Sequence, residues 1–475
     1  MKTPTRVLLG LLFATGLIAS ITSAATPGRP PNLVVILTDD QGYADISFNP
    51  HHPKEVSTPH LDALAREGVF FSQGYITGNV CSPTRAGLLT GRYQQRAGVY
   101  TAGEGGSGMA QSEKILPRFL KPSGYVTGAF GKWHLGLTLE HSPIGRGFDE
   151  WYGFLGRGAH DYFDLAGKDP ENHPMYRNGT EIKDEGYLTT RLTDEAVGFI
   201  RQHKAQPFAV YLAYNAVHSP AQAPAEDIAR IRRQFPDLPE NRVILMAMLY
   251  HLDLGVGRVV NTLKQEGVWD NTLLFFLTDN GGSRAMAADN SPLRGFKQQN
   301  FEGGIRTPFI VSWPNRIKGG RTVDTPVTSL DLLPTALDAA GIPLPTDKPF
   351  DGKSLLPLLA GETKQLHQTL YWSEGGAGGW AVRSGDWKIV VERQQTKRAL
   401  FNLAVDPAEA NDLSSEQPGK LAELTKLYNT WLDQMAEPLS GAPKRWTGEA
   451  GAAKKKKEKK SGEDGNARKK KKEGE

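Results

Sequence analysis

The only cysteine of this 475-residue sequence lies in a segment that could carry reactive chemistry. Cys81 is followed by Pro83 and Arg85, and a run that is typical of a helix comes directly after them. This spacing places a thiol near the start of a helix with a permanent cation beside it, an environment that can activate sulfur. From these residues alone, a buried structural thiol is an equally good interpretation.

Two pairs of oxygen-bearing side chains could bind a metal ion. Asp39 and Asp40 follow one apolar run, and Asp279 and Asn280 follow another. Carboxylate and amide oxygens suit a hard cation such as Ca²⁺, and the sequence has no cluster of cysteines and histidines of the kind that binds zinc. One such pair taken alone is more often a turn or a helix cap. Two pairs that both follow strand-like runs favour a metal site.

Four further side chains could bind an anion or move a proton. Lys132 and His134 are two positions apart, so on an extended segment both would point to the same face. His218 and Lys297 each lie close to one of the strand-like runs. Any one of these residues taken alone is more typical of a structural or solvated position, and their significance depends on the other motifs.

The elements that would position these residues are those of an α/β protein. Continuous apolar, β-branched runs of this kind are typical of buried parallel strands, and helical patterns lie between them, as at 190–203 and 242–266. A further helix is predicted after Thr58, a plausible N-cap, and Pro59. Ligand sites of such sheets lie at the carboxyl ends of the strands. The predicted strands are Leu33–Leu37, Phe208–Tyr214, Thr272–Thr278 and Pro308–Trp313.

The pattern changes near residue 366 to short β-like segments, which are followed by a helical stretch over 419–435. We therefore predict a large domain with a central, mostly parallel sheet flanked by helices, and a small antiparallel sheet with one helix. The predicted boundaries are a signal peptide over 1–24, a catalytic domain over 25–360, a C-terminal subdomain over 361–445 and a disordered lysine-rich tail over 446–475.

Composition constrains the partners and the compartment. The formal net charge is +4, but residues 451–475 carry eleven cations against five acids, so the body over 25–450 has a net charge of −4. We therefore expect no nucleic-acid partner. Lys2 and Arg6 precede an apolar run and small residues that end at Ala24, which is typical of a cleaved export signal. The protein is predicted to be exported, periplasmic or secreted, without a membrane span.

The sequence resembles the formylglycine-dependent sulfatases of the alkaline-phosphatase-like superfamily. The resemblance rests on the segment from Cys81 through Pro83 and Arg85 to Thr90-Gly91-Arg92, and it continues from Pro31 to Leu413. It implies an alkaline-phosphatase-like α/β fold and the hydrolysis of sulfuric esters of a sulfated carbohydrate. It also implies that a maturation enzyme oxidises Cys81 to formylglycine.

The resemblance further implies a role for each candidate residue. Catalytic roles fall on Cys81, Arg85, Lys132, His134, His218 and Lys297, and the ligands of one Ca²⁺ would be Asp39, Asp40, position 81, Asp279 and Asn280. In this scheme a hydroxyl of the hydrated formylglycine attacks sulfur and the two lysines hold the sulfuryl oxygens. His218 protonates the departing alcohol, and His134 takes the proton whose removal expels sulfate.

The sequence departs from the family where relatives can place a sulfate-binding serine. After Gly156 it reads Arg157, Gly158, Ala159, His160 and Asp161. His160 is therefore the candidate substitute contact to the substrate, and Arg157 and Asp161 are weaker candidates. An ordinary surface loop is the alternative for all three residues.

Other functions and features stay open. Alternatives to a carbohydrate sulfatase are an arylsulfatase, a phosphate-ester hydrolase of the same superfamily and a non-catalytic protein that binds sulfated glycans. The glycine-rich segment 103–108 is predicted to be a flexible loop, because no strand leads into it as nucleotide binding would require. The lysine-rich tail is either a solvated extension or a tether to sulfated polymer.

Overall fold

A computed structural model describes residues 29–156, 158–169 and 172–445, so the predicted signal peptide, Arg157 and the predicted tail lie outside the described residues. The strands are β1 (Asn32–Thr38), β2 (Val69–Phe71), β3 (Gly74–Tyr75), β4 (Val126–Lys132), β5 (Glu150–Phe154), β6 (Met175–Arg177), β7 (Thr180–Ile182), β8 (Phe208–Ala213), β9 (Thr272–Thr278), β10 (Phe309–Ser312), β11 (Arg321–Val323), β12 (Val327–Thr328), β13 (Thr369–Ser373), β14 (Trp380–Ser384), β15 (Trp387–Val391) and β16 (Ala399–Asn402).

The α-helices lie between these strands and flank them. They are α1 (Pro59–Glu67), α2 (Cys81–Thr90), α3 (Ala102–Ser107), α4 (Leu116–Leu120), α5 (Leu188–His203), α6 (Ala225–Gln234), α7 (Glu240–Gln265), α8 (Glu302–Ile305), α9 (Leu332–Ala339), α10 (Leu356–Ala360) and α11 (Pro418–Asp433).

A ten-stranded sheet forms the centre of the large domain, in the order β11-β2-β10-β9-β1-β8-β4-β5-β6-β7. Its five central strands β9, β1, β8, β4 and β5 are parallel to one another. Every residue of β1, β8 and β9 is buried. Continuous burial of this kind is what a parallel sheet covered on both faces requires. The predicted α/β class is confirmed.

The two faces of the sheet pack into separate hydrophobic cores. Val34 and Ile36 of β1 point into the core that holds α5 and α7, whereas Leu33, Val35 and Leu37 point into the core that holds α2 and α9. Alternate residues of a strand face opposite sides, so one apolar strand serves both cores. The sheet is thereby fixed on both faces, and its carboxyl edge becomes a rigid platform.

The small sheet contains β13, β14, β15 and β16 in that order, with all neighbours antiparallel. Helix α11 covers one face, where Leu424 and Trp431 pack with Trp380, Val382 and Ile389. The predicted antiparallel sheet with one helix is confirmed.

Several local predictions differ from the structure. The fourth predicted strand, β10, is antiparallel to both of its neighbours, β9 and β2, so the sheet is mixed rather than parallel throughout. The side chain of Thr58 makes no cap hydrogen bond, and the Asp253 carboxylate instead accepts the backbone N–H groups of His60 and Leu61 at 3.1 and 2.8 Å. The glycine-rich segment predicted to be a loop forms the short helix α3.

One helix within the described ranges, α7, is long and apolar enough to cross a membrane by length and composition. Its most apolar 18-residue window has a mean hydropathy of 1.6, and 72% of that window is buried inside the fold. The sequence predicts a helix over 242–266 here and no membrane span. Core helices also meet this criterion, so α7 is weak evidence for a span, and it packs here as a core helix against α5 and α1.

Candidate active site

The candidate site lies at the carboxyl edge of the central parallel strands. Asp39 and Asp40 directly follow β1, Asp279 and Asn280 follow β9, and Lys132 is the last residue of β4. Because β1 pairs in parallel with β9 and β8, and β8 with β4, these strand ends meet at one edge. The structure therefore brings together residues that lie about 240 positions apart in the chain.

Cys81 is the first residue of α2 and is buried. Its Sγ lies 3.1 Å from Nδ1 of His134. Burial raises the pKa of the Cys81 thiol, and the nearby Lys132 ammonium opposes that shift only in part. The Ser82 hydroxyl donates to the backbone carbonyl of His134 at 2.6 Å, which ties the start of the helix to the histidine.

Arg85 is fully buried one helical turn after Cys81 and joins three segments of the site. Its Nε and Nη2 donate to one oxygen of Asp279 at 2.9 and 2.6 Å, and its Nη1 donates to the backbone carbonyl of Lys132 at 2.9 Å. Burial opposes the charge on this guanidinium, but the carboxylates of Asp279 and Asp39 raise its pKa. Arg85 is thus a fixed cation held among the strand ends.

The two lysines each pair with a different carboxylate. Lys132 Nζ contacts Asp39 Oδ2, and Lys297 Nζ lies 2.7 Å from Asp40 Oδ1. Burial alone would lower the pKa of Lys297, but Asp40 and Asp39 outweigh it and raise that pKa. The pairing with Asp40 therefore keeps the Lys297 ammonium charged.

The two histidines differ in environment. His134 is buried, and desolvation together with Lys132 and Arg85 keeps its pKa well below the usual value, so its ring is neutral. His218 is partly exposed, and its Nε2 lies 3.7 Å from Asp40 Oδ2. Its Nδ1 lies 2.8 Å from the carbonyl oxygen of Ser219, which orients the ring.

The backbone at His134 differs from the prediction. Its φ angle is +57°, in the left-handed region, so the segment from Lys132 to His134 is not the extended one that the spacing suggested. Both side chains nevertheless reach the site: Lys132 contacts Asp39, and His134 contacts Cys81. The left-handed turn after β4 thus directs both side chains to the site, as the two-residue spacing on an extended segment was expected to do.

Three acids and three cations meet at this edge of the sheet and form what we call the catalytic cluster: Asp39, Asp40, Asp279, Arg85, Lys132 and Lys297. Its three acids balance its three cations, yet among the residues that the structure describes Asp39 Oδ1 and Asp279 Oδ1 are buried without a hydrogen-bond partner, as is Oδ1 of the adjacent Asn280. Burial and the neighbouring Asp39 raise the pKa of Asp279. Buried polar atoms are rarely left unpaired, so these oxygens call for a ligand.

A divalent cation fits these oxygens. All three unpaired atoms are carboxylate or amide oxygens, the donor type that Ca²⁺ and Mg²⁺ prefer. Ligand atoms of Asp39, Asp40 and His218 also lie within 4.8 Å of one another. The donor set is hard and rich in oxygen, so it matches the predicted Ca²⁺ better than a soft metal.

The substrate contact of His160 stays a prediction, and the structure shows how the residue is held in its loop. His160 is buried, and its two ring nitrogens lie 2.6 Å from the carbonyl oxygen of Asp161 and 2.8 Å from that of His173. Asp161 likewise accepts the backbone N–H groups of Phe163 and Asp164. Both side chains thus lie against the backbone of their own loop. Arg157 lies outside the described residues.

Two features of the site escaped the sequence analysis. Asn215 follows β8 and is buried with Oδ1 unpaired. It is a polar residue just after an apolar strand, which is the signal that drew attention to Asp39, so it could have been found. Asn79 donates to Glu374 Oε1 at 2.7 Å and connects the segment before Cys81 to the small sheet. No local pattern predicts that contact, because the two residues are 295 positions apart.

Comparison with protein families agrees with this geometry. The sulfatase family model matches residues 31–342, and the model of the C-terminal region of N-sulphoglucosamine sulphohydrolase matches residues 296–437. The fold is that of the alkaline-phosphatase-like hydrolases. Within that class, the chain belongs to the sulfatase family and is a sulfuric ester hydrolase.

Individual relatives match over most of their length. The chain is 35% identical to N-acetylgalactosamine-6-sulfatase of Mus musculus, with 81% of this chain and 76% of the relative covered. It is 30% identical to the sulfatase YdeN of Escherichia coli (strain K12), with 88% of each covered. The crystal structure of Ps i-CgsB in complex with k-i-k-neocarrahexaose superposes with a TM-score of 0.81 at 35% identity, covering 88% of this chain and 95% of that one.

Proposed function

We propose that this sulfatase removes sulfate from a sulfated carbohydrate, using a formylglycine made from Cys81 and one bound divalent metal ion. The observation that carries the proposal is the set of three unpaired buried oxygens, on Asp39, Asp279 and Asn280, within a cluster that also holds three cations. The similarity to an N-acetylgalactosamine-6-sulfatase and to a protein solved with a neocarrahexaose supports a carbohydrate substrate.

The chemistry at position 81 would come from two groups. When formed by the maturation enzyme, the formylglycine hydrate supplies a hydroxyl nucleophile and a second hydroxyl whose deprotonation releases sulfate. When bound by Asp39, Asp40, Asp279, Asn280 and position 81, Ca²⁺ supplies positive charge that favours a deprotonated hydroxyl.

The protein's own residues then bind the sulfate ester and move protons. Lys132 and Lys297 offer ammonium groups to the sulfuryl oxygens, where charge builds up during transfer. Arg85, bonded to Asp279 and to the carbonyl of Lys132, keeps the helix start and the strand ends in register. It is a positioning residue in this scheme.

Two histidines divide the proton transfers. His134 Nδ1, 3.1 Å from the side chain at position 81, accepts a proton from that side chain. His218, whose Nδ1 lies against the Ser219 carbonyl, presents its Nε2 to the cluster and donates a proton to the departing alcohol. The partly exposed position of His218 suits a group that meets the outer part of the substrate.

Sulfate release from defined sugars tests this proposal. Matured protein would be given sulfated galactose, N-acetylgalactosamine, glucosamine and fucose units, with sulfate and phosphate esters of one aryl alcohol beside them. We expect release from at least one sugar, preference for the aryl sulfate over the aryl phosphate, and no turnover by the Cys81→Ala variant. Hydrolysis of the aryl sulfate without any sugar sulfate would contradict a carbohydrate substrate, and preference for phosphate would contradict the mechanism.

We also propose that the protein is exported, periplasmic or secreted, and that its two domains meet near residue 360. The charged and apolar pattern of residues 1–24 supports export. Strands β13 to β16 and α11, which share one hydrophobic core, support the boundary. N-terminal sequencing of protein recovered from the periplasm or medium tests the first point, because an intact leader would contradict it.

A further inference from the structure

A cavity of about 470 Å³ opens beside the catalytic cysteine. On one side it is lined by Val80 and Gln298, which directly precede Cys81 and follow Lys297 in the chain. On the other side it is lined by Glu374 and Arg393 of the small sheet domain. The cavity therefore lies between the candidate active site and the small sheet.

A second cavity, of about 320 Å³, lies farther out on the small domain. It is lined by the segment after β15, with Gln395 and Arg398, and by α11, with Asn429. Lys444 and Arg445, at the end of the described chain, complete its wall. None of these residues belongs to the catalytic cluster.

The two cavities share one loop. Gly375, Gly376 and Gly378, between β13 and β14, line both of them. Gly375 and Gly376 have φ angles of +67° and +51°, a conformation that residues with a side chain rarely adopt. The two cavities therefore adjoin at this glycine-rich loop, and we call them together the C-terminal groove.

The lining of the C-terminal groove is basic. Its charged lining residues are one acid, Glu374, and the four cations Arg393, Arg398, Lys444 and Arg445. Arg393 pairs with Glu374, and Lys444 and Arg445 pair with Glu437 and Asp433 outside the lining. Arg398 is exposed and has no ion-pair partner among the residues that the structure describes. The lysine-rich segment that follows Arg445 has the same sign of charge as the groove, so the groove does not complement it.

We propose that the C-terminal groove binds a sulfated polysaccharide, at the part of the polymer that extends beyond the sugar whose sulfate reacts at position 81. This inference rests on the proposed function, because it takes the substrate of that function to be part of a polyanionic chain. Hydroxyl and sulfate groups along such a chain match the exposed amide and guanidinium groups of Gln395, Arg398 and Asn429. The body as a whole is acidic, so this attraction is local to the groove.

Hydrogen exchange with a chemically defined probe locates the binding surface. The full-length protein would be compared with dextran sulfate, with uncharged dextran and alone. We expect dextran sulfate to slow exchange at 374–379 and 392–398, and dextran to have no effect. Protection confined to the segment after residue 445 would overturn the proposal, because the tail alone would then bind the polymer.

A matched pair of variants separates local binding from net charge. Arg398→Glu/Arg445→Glu changes one unpaired and one ion-paired exposed arginine of the groove. Arg232→Glu/Arg233→Glu makes the same change on α6, where Arg232 pairs with Glu240 and Arg233 is exposed without a described ion pair. Helix α6 packs in the core on the other face of the large sheet from α2.

Affinity for dextran sulfate at low salt is the readout, and hydrolysis of a small sulfate ester is the control. We expect the groove variant to bind about tenfold more weakly, the α6 variant to stay within about twofold, and the difference to shrink as salt rises. An equal loss of affinity in both variants, or no loss in either, would overturn the proposal that the C-terminal groove binds the polymer. A wild type that cleaves no sulfate ester would instead contradict the proposed function, whatever the binding result.

Discussion

Two buried clusters of charged residues in this molecule have similar composition and opposite properties. The catalytic cluster has three acids and three cations, and still leaves oxygens of Asp39 and Asp279 unpaired. The second, which we call the junction cluster, lies where the small sheet packs against the large domain. It consists of Glu302, Glu409, Lys388, Arg306 and Arg383.

The junction cluster satisfies nearly all of its charges internally. Lys388 Nζ lies 2.8 Å from Glu302 and 2.9 Å from Glu409, and all three side chains are fully buried. Tyr75 donates to Glu302 at 2.6 Å, and Arg383 donates to Tyr75. Glu409 Oε1 is the exception, with an ion-pair contact to Lys388 but no hydrogen bond. A cluster paired in this way holds domains together, whereas unpaired oxygens mark a place for a ligand.

The largest effect is expected from a substitution beside the catalytic cluster that removes no charge. Asn280→Ala deletes an unpaired oxygen, so we expect metal affinity to fall and kcat/KM to drop about a thousandfold or more, roughly 4 kcal/mol. Metal content and turnover would be measured together, and Tm in a chelator should fall only about as far as in the control, because the Asn280 amide also donates to Asp40 at 2.7 Å. The control is Asn32→Ala, a buried asparagine at the opposite end of β1. Full metal content with full activity in Asn280→Ala would contradict the assignment.

The next effect concerns the junction cluster. Lys388→Met leaves two buried carboxylates without their shared cation, so we expect the free energy of unfolding to fall by about 3 kcal/mol. Activity per folded molecule should be retained, because Lys388 lies outside the site. Lys397→Met, which removes an exposed pair with Asp412 at 2.8 Å, should cost less than about 1 kcal/mol. Loss of turnover at unchanged stability would show that the junction cluster serves catalysis.

A pH dependence sharpens the same contrast. Burial raises the pKa of Glu409 to about 7, with Lys388 opposing, whereas Lys388 and two arginines overcome burial and lower the pKa of Glu302 to about 2. Between about pH 4.5 and 7 the folded state holds a proton on Glu409 that the unfolded state has lost. The free energy of unfolding should therefore fall as pH rises through that window, by about 3 kcal/mol from this residue.

Urea unfolding of the wild type and of Glu409→Gln at pH 5, 6, 7 and 8 checks this expectation. The stability difference between the two proteins should shift in favour of the variant as pH rises. Glu416→Gln, at an exposed position, should follow the wild type at every pH. A constant difference across the window would mean that Glu409 does not bind a proton in the folded protein.

The smallest effect concerns a histidine near the site. Both ring nitrogens of His160 lie against backbone carbonyls, so His160→Gln should lower stability by about 1 kcal/mol through a lost hydrogen bond. KM should change by less than about twofold. A tenfold rise in KM at unchanged kcat and stability would restore the prediction that His160 contacts the substrate.

The centre of the fold could be predicted because its strands are apolar throughout. β1, β8 and β9 are buried on both faces, and each is a continuous apolar run in the sequence. β4 and β5 were not predicted, because glycines interrupt their patterns. A side chain at Gly131 would come within 2.0 Å of the Ala213 carbonyl oxygen, and one at Gly153 within 2.1 Å of that of Gly131. The close approach of the strands requires these glycines, and the same glycines interrupt the apolar pattern by which a strand is predicted from sequence.

The site divides in a similar way. Residues that directly follow strands, such as Asp39 and Asp279, could be placed at one edge because parallel strands end together. Contacts across long stretches of chain could not, and Asn79 with Glu374 is the example. The surroundings of His160 could not be predicted either. Its residue type suggested chemistry, and only the coordinates place both ring nitrogens against carbonyl oxygens of its loop.

The central claim is that the side chain at position 81 of the active protein is no longer cysteine. The tryptic peptide over 67–85 contains that position and no internal lysine or arginine before Arg85, so its mass reports the modification directly. In active protein we expect this peptide to have lost one sulfur and two hydrogens and gained one oxygen, with activity proportional to the converted fraction. Fully active protein in which this peptide carries an unmodified thiol would contradict the proposal that formylglycine at position 81 is the nucleophile.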